Sequence, residues 1–168
     1  MWSAQHAHSP SLVNPETTRL PARAGALKVP AMSELQPVVF VYGTLKPGGA
    51  YWQEYCAGRV VGQQAACVRG SLYDLRRGYP GLRRTGSGWV QGYRLTLADS
   101  AALQRIDSLE GYRADRPEEQ NEYTRIRVAC LSPQGERLGS AWTYAVTDWF
   151  WRRCDSRPLP DGEWPIEA

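Results

Sequence analysis

Histidine is nearly missing from this chain: its two copies, His6 and His8, both fall in the first ten residues. Unless that segment folds back, the rest of the chain offers neither Ser-His-Asp nor Cys-His catalysis, nor histidine-ligated metal chemistry. Acid–base work must then fall to carboxylates, Tyr, Lys or Cys. The four cysteines, Cys56, Cys67, Cys130 and Cys154, form no C-x-x-C pair. They read as reduced thiols rather than a zinc site or disulfide framework, so neither metal nor cofactor is expected. Also lacking are a run of roughly 20 apolar residues that could span a bilayer and the apolar stretch of a secretory signal. The expectation is a cytoplasmic protein without a membrane partner. A formal charge of +3 is too mild to announce a nucleic-acid binder. Arg76-Arg77 and Arg83-Arg84 concentrate charge around Gly78-Tyr79-Pro80-Gly81-Leu82, which reads as a solvated loop. Neither the phosphate-cradling P-loop spacing nor the Gly-x-Gly-x-x-Gly fingerprint occurs.

What is present begins with Val38-Val39-Phe40-Val41-Tyr42, an apolar strand running into the glycine-punctuated segment Gly43-Thr44-Leu45-Lys46-Pro47-Gly48-Gly49. Gly43, Gly48 and Gly49 let backbone N–H groups approach a ligand without Cβ obstruction. The following residues 50–57 can start a helix, whose free N–H groups would favour a carboxylate or phosphate. The plainer account is that Gly43 and Pro47-Gly48 simply turn the chain.

Size and composition suit one domain, expected over residues 32–154. Residues 1–31 have no sustained period and read as a disordered extension, with Met32 an alternative start; residues 155–168 read as an irregular tail. Residues 65–75 and 88–97 alternate as strands, with Gly70 and Gly92 marking bulges or close backbone approach. One helix follows: Asp99 or Ser100 can cap it, Leu103, Ile106 and Leu109 share a face, and Gly111 can end it in a left-handed conformation. Residues 123–131 and 140–146, joined by Ser132-Pro133-Gln134-Gly135, predict a hairpin. The fold class is α+β: a small mixed β-barrel with one or two short flanking helices.

Glu110 is misplaced by local rules. It falls in the last turn of that helix, where the macrodipole disfavours a carboxylate, and Asp107 lies three residues back. Both effects favour the protonated form and raise its pKa, which suits a proton shuttle near neutral pH. The alternative is an ordinary exposed helix-end residue.

Four blocks in order resemble the γ-glutamylcyclotransferase superfamily in its AIG2-like, γ-glutamylamine cyclotransferase branch: residues 39–46 with Tyr-Gly-Thr-Leu, residues 70–80, residues 106–112 with Leu-Glu-Gly-Tyr, and Tyr123-Thr124-Arg125. The resemblance spans residues 38–146. It implies a compact barrel, Glu110 as general acid/base, and Tyr42, Gly43, Thr44 and Leu45 binding a small-molecule γ-glutamyl substrate, with Tyr123 lining the cleft. The implied chemistry is intramolecular: the α-amine of a γ-glutamyl amide closes on the γ-carbonyl, giving 5-oxoproline and a free amine. Loop amides then hold either the α-carboxylate or the oxyanion. γ-Glutamylamines, a biosynthetic intermediate and γ-glutamyl dipeptides are all admissible substrates, and the alternative is a non-catalytic binding module for a small acidic metabolite on the same fold.

Overall fold

The computed structural model describes residues 36–166; the N-terminal extension expected over residues 1–31 lies outside them. Strand β1 (Val38–Val41) is followed by a single π-helical turn, Trp52–Cys56, and then by β2 (Val60–Arg69), β3 (Ser71–Asp74), β4 (Pro80–Arg83) and β5 (Trp89–Leu97). Helix α1 (Ser100–Leu109), a short 3-10 turn at Glu118–Gln120, β6 (Tyr123–Leu131), β7 (Arg137–Val146), α2 (Asp148–Trp151) and β8 (Arg157–Leu159) complete the order. Strands β1-β5-β2-β6-β7 close into a barrel, and β4-β3-β8 form a separate three-stranded sheet. The expected mixed barrel with short helices is the observed architecture.

Neighbouring barrel strands run antiparallel except at the seam, where β1 meets β7 in parallel at Val39↔Trp142. Closure removes the exposed edges that an open sheet would leave. Burial on both faces explains why β1 is apolar throughout rather than alternating. Val39 and Val41 enter one buried cluster with Leu95, Leu103 and Ile106, while Phe40 and Tyr42 enter a second with Val68, Leu82 and Val90. A strand buried on both faces needs side chains of one kind on both.

The run expected as one strand over residues 65–75 divides at Gly70, where the chain passes from the barrel into the second sheet. A Cβ there would lie 2.7 Å from the Arg83 carbonyl oxygen, and one at Gly92 would lie 2.8 Å from the Phe40 ring. Both positions are the close approaches their sequence context suggests. Strand β2 begins earlier than expected, at Val60, and pairs with β5 from Val60↔Leu97 to Arg69↔Trp89. Its first half, Val60-Val61-Gly62-Gln63-Gln64, is largely exposed and does not alternate apolar with polar, which hides it from a pattern search.

Two other segments differ from their sequence reading. Pro80-Gly81 does not only turn the chain; it opens β4, which pairs with β3 at Tyr73↔Gly81. Within the segment expected to be an irregular tail, Arg157–Leu159 pair with β3, and the Gly162 carbonyl accepts from the Gln91 amide at 2.8 Å.

Helix α1 follows its caps. The Asp99 carboxylate accepts from the Ala102 amide at 2.8 Å, satisfying one of the free donors of the first turn. Ala102, Leu103 and Ile106 are buried against the first cluster, and full burial of one such aliphatic side chain contributes about 1.5–3 kcal/mol. Gly111 stops the helix at φ +63°, a left-handed conformation that glycine adopts without the Cβ penalty. The arginines near residues 76–84 are partly engaged: Arg83 pairs with Asp148 at 2.8 Å and lies over Trp151, and Arg77 lies over Phe150. No helix among the described residues is long and apolar enough to cross a membrane.

Candidate active site

The C-terminal end of β1, the C-terminal end of α1 and the first residues of β4 and β6 converge on one cavity of about 230 Å³. Each sequence-predicted site residue lines it: Tyr42, Gly43, Thr44 and Leu45 from the loop, Glu110 from the helix end and Tyr123 from β6. Eight further lining residues were not anticipated there. Tyr51, Tyr79, Glu122 and Tyr144 complete much of the wall.

The loop is held from behind. The Lys46 amide donates to the Gly43 carbonyl at 3.0 Å, the Gly49 amide to Lys46 at 2.7 Å, and the Tyr51 amide to Thr44 at 3.0 Å. The Lys46 side chain is buried and donates through Nζ to the Trp164 carbonyl at 2.5 Å, tying the loop to the C-terminal segment. Burial lowers its pKa, and Glu163, 3.9 Å away, partly opposes that. With the loop's carbonyls so engaged, the amides of Gly43, Thr44 and Leu45 donate to no protein acceptor among the described residues. They are available donors. The helix expected after the loop is only the five-residue π-turn, and the amides of Tyr51 and Trp52 are consumed internally. The unpaired backbone N–H groups therefore lie in the loop rather than at that helix start.

Gly43 has a second reason to lack a side chain. Its Cβ would lie 2.8 Å from Pro80 Cγ, so the loop and the start of β4 pack directly on one another.

Three tyrosines form a fixed wall. Tyr42 donates its hydroxyl proton to the Tyr144 carbonyl at 2.7 Å, and its oxygen accepts from the Leu82 amide at 3.3 Å. Tyr123 donates to the Pro80 carbonyl at 2.8 Å. Tyr144 donates to Asp107 Oδ1 at 2.6 Å, while Arg125 Nη1 donates to Asp107 Oδ2 at 2.6 Å. Burial raises the pKa of all three phenols, with nearby carboxylates pushing the same way. Each hydroxyl is committed to a protein acceptor, so Tyr42 and Tyr123 present rings to the cavity.

Glu110 differs from them. Its backbone caps α1, with the amide donating to the Ile106 carbonyl at 3.0 Å. The residue is half-buried and lines the cavity. No donor reaches its carboxyl among the described residues. Desolvation pushes its pKa from 4.5 up to about 8, helped first by the negative charge of Glu122 and then by that of Asp107. The order is physical: Asp107 is paired with Arg125, whereas Glu122 makes no ion pair among the described residues. The site thus holds a carboxyl group, largely protonated at neutral pH, in the same cavity as three unused amides. A proton donor or acceptor beside unpaired backbone N–H groups is an arrangement that can serve acyl transfer.

Residues 39–165 match the profile of the family described as "Gamma-glutamyl cyclotransferase, AIG2-like". The chain belongs to this family. Among curated proteins it is 34% identical over 108 residues to the gamma-L-glutamyl-butirosin B gamma-glutamyl cyclotransferase of Niallia circulans. That match covers 64% of this chain and 65% of the relative, so it spans just under two thirds of the relative's length. Solved structures agree in fold. An AIG2-like protein of Mus musculus superposes with a TM-score of 0.55 at 20% identity, covering 77% of this chain and 88% of that one. YkqA of Bacillus subtilis superposes at 0.54 with 18% identity, covering 77% of this chain and 39% of that one.

Of the wall residues that sequence reasoning missed, Tyr79 and Pro80 lay within a block that carried the family resemblance. Tyr144 had only its place in a hairpin strand. Glu122 had no signal beyond membership of a polar loop.

Proposed function

We propose that this protein is a γ-glutamyl cyclotransferase that converts a γ-glutamyl amide into 5-oxoproline and a free amine, with Glu110 as general acid/base. The observation that carries the reading is one cavity in which the Glu110 carboxyl, with its pKa raised to about 8, shares space with the unused amides of Gly43, Thr44 and Leu45. The family membership and the name of the Niallia circulans relative point to the same bond.

The substrate brings its own nucleophile. The ionised fraction of Glu110, which grows as pH rises toward 8, takes a proton from the α-ammonium, and the freed amine attacks the γ-carbonyl, forming a C–N bond within a five-membered ring. The tetrahedral oxyanion then collapses as Glu110 returns its proton to the departing nitrogen and that C–N bond breaks, and the second proton on the attacking nitrogen passes to the released amine, leaving the neutral lactam and an ammonium. Atoms and charge balance without any further reactant. Holding the glutamyl chain curled supplies much of the rate, because the attack is intramolecular. A base with a pKa near 8 is close to both amines it serves and to working pH, where proton transfer is most effective. No lysine or arginine among the described residues lines the cavity. The loop amides are therefore the donors for the substrate's anionic groups, and the three tyrosine rings set the width of the slot.

The test is turnover of a panel of γ-glutamyl amides, read as 5-oxoproline and free amine in equal amounts. Glu110→Gln keeps the shape and removes the base, and activity should fall by about two powers of ten or more. Undiminished turnover in that variant would reject the role of Glu110. Thermal stabilisation by the amides without any product would reject catalysis in favour of binding.

A further inference from the structure

Glu122 is the charged group of the cavity that the chemistry above does not use. Its backbone is fixed, because its carbonyl accepts from the Thr147 amide at 3.1 Å and lies 3.3 Å from Thr147 Oγ1. Its side-chain stem runs past the Glu110-Gly111 turn, with Cγ 4.0 Å from where a Gly111 Cβ would be. The residue is exposed and yet lines the cavity, which places its carboxylate at the rim. Two aromatic rings accompany it there: Tyr79, half-buried, and Tyr51, 41% exposed. Two guanidiniums stand on that side: Arg77 rests over the Phe150 ring at 5.2 Å and beside the Tyr79 phenol, and Arg116 donates to the Gly111 and Gln120 carbonyls at 3.1 and 3.4 Å; neither makes an ion pair with Glu122 among the described residues.

These charges orient a substrate. The α-carboxylate of a γ-glutamyl group is repelled by Glu122 and attracted by the loop amides, so the glutamyl end lies toward Gly43–Leu45. The departing amine then extends toward the rim. Resting on the function proposed above, we propose that Glu122, with the rings of Tyr51 and Tyr79, forms a subsite for the amine half and selects amines that carry a second positive charge. An ammonium there meets a carboxylate and two aromatic faces, both of which attract cations. An alkyl tail of the same length meets a carboxylate it must partly desolvate.

A matched pair of substrates tests this: the γ-glutamyl amides of n-hexylamine and of 1,5-diaminopentane, which differ at the far end by a methyl group against an ammonium. The expected result is that kcat/KM favours the cationic amide by about tenfold, the scale of one rim ion pair reinforced by ring contacts. That preference should shrink as ionic strength rises and should largely vanish in Glu122→Gln. The ratio of the two substrates is the readout, because removing Glu122 also changes the proton affinity of Glu110 and moves both rates together. Equal kcat/KM for the two amides in the wild-type protein would overturn the subsite while leaving cyclotransferase activity intact. An equal loss on both substrates in Glu122→Gln, with the ratio unchanged, would also overturn it and place Glu122 at the glutamyl end. Turnover of neither would instead count against the function itself.

Discussion

Replacing Glu110 by glutamine should make the protein more stable and less active, and the gain should depend on pH in a defined direction. In the unfolded chain this carboxyl loses its proton near 4.5, whereas in the fold it holds it to about 8. Below 4.5 both states carry the proton and the residue contributes no pH dependence. As pH rises past that value, the unfolded state ionises first and is favoured by about 1.4 kcal/mol per pH unit. The penalty on the fold therefore grows through neutrality and levels off above about 8. Taken at face value it reaches about 3 kcal/mol at pH 7, but the carboxyl lines an open cavity and is only half-buried, so about 1–2 kcal/mol is the expected size. Glutamine has no proton to lose and escapes the penalty. Urea unfolding of both proteins at several pH values isolates the effect, since every other group cancels in the difference. The two should be nearly equal near pH 4.5, with the variant ahead by about 1–2 kcal/mol at pH 8. Parallel stability curves across that range would refute the claim that the fold holds this carboxyl neutral. A residue kept at a cost to stability is a mark of a working site.

Two further substitutions separate scaffold from ligand contacts. Gly43→Ala should destabilise by about 1–3 kcal/mol in the absence of any ligand, measured by thermal or urea unfolding, because its methyl would meet Pro80 Cγ at 2.8 Å; unchanged stability would mean that the loop and β4 do not pack as described. Lys46→Met removes the tie between the loop and the Trp164 carbonyl and should raise KM several-fold with a smaller change in kcat, as expected for a group that positions the amides without touching the reaction. An unaltered KM would show that the C-terminal segment does not hold the loop in its binding form.

Much of the fold was legible because it is encoded locally. The α1 boundaries follow from Asp99 and Gly111, whose capping roles need no tertiary information. The hairpin of β6 and β7 is read from alternation on either side of a Pro-Gly turn. Strand β8 is different. Arg157–Leu159 is three residues long and bounded by Pro160, and it becomes a strand only because β3 offers it an edge. Likewise, β4 starts at a proline inside what looks like a turn, and its strand character comes from β3 across the sheet. The seam between β1 and β7 joins residues about a hundred positions apart, a distance at which periodicity carries no information.

The candidate site divides in the same way. Glu110 stood out because it breaks a helix-end rule, and residues 42–45 because glycine interrupts an apolar strand. Glu122 breaks no rule within its polar loop, and only the fold brings it beside Glu110. The hydroxyl assignments of Tyr42, Tyr123 and Tyr144 depend on backbone carbonyls and a carboxylate from distant strands and from α1, so sequence could suggest the rings but not their partners.

Everything above rests on the ionisation of one side chain, and carbon-13 NMR of the Glu-labelled protein measures it directly. The carboxyl resonance that disappears in Glu110→Gln should titrate near pH 8, with the remaining carboxylates shifting at lower pH. A midpoint near 4.5 for that resonance would contradict the account.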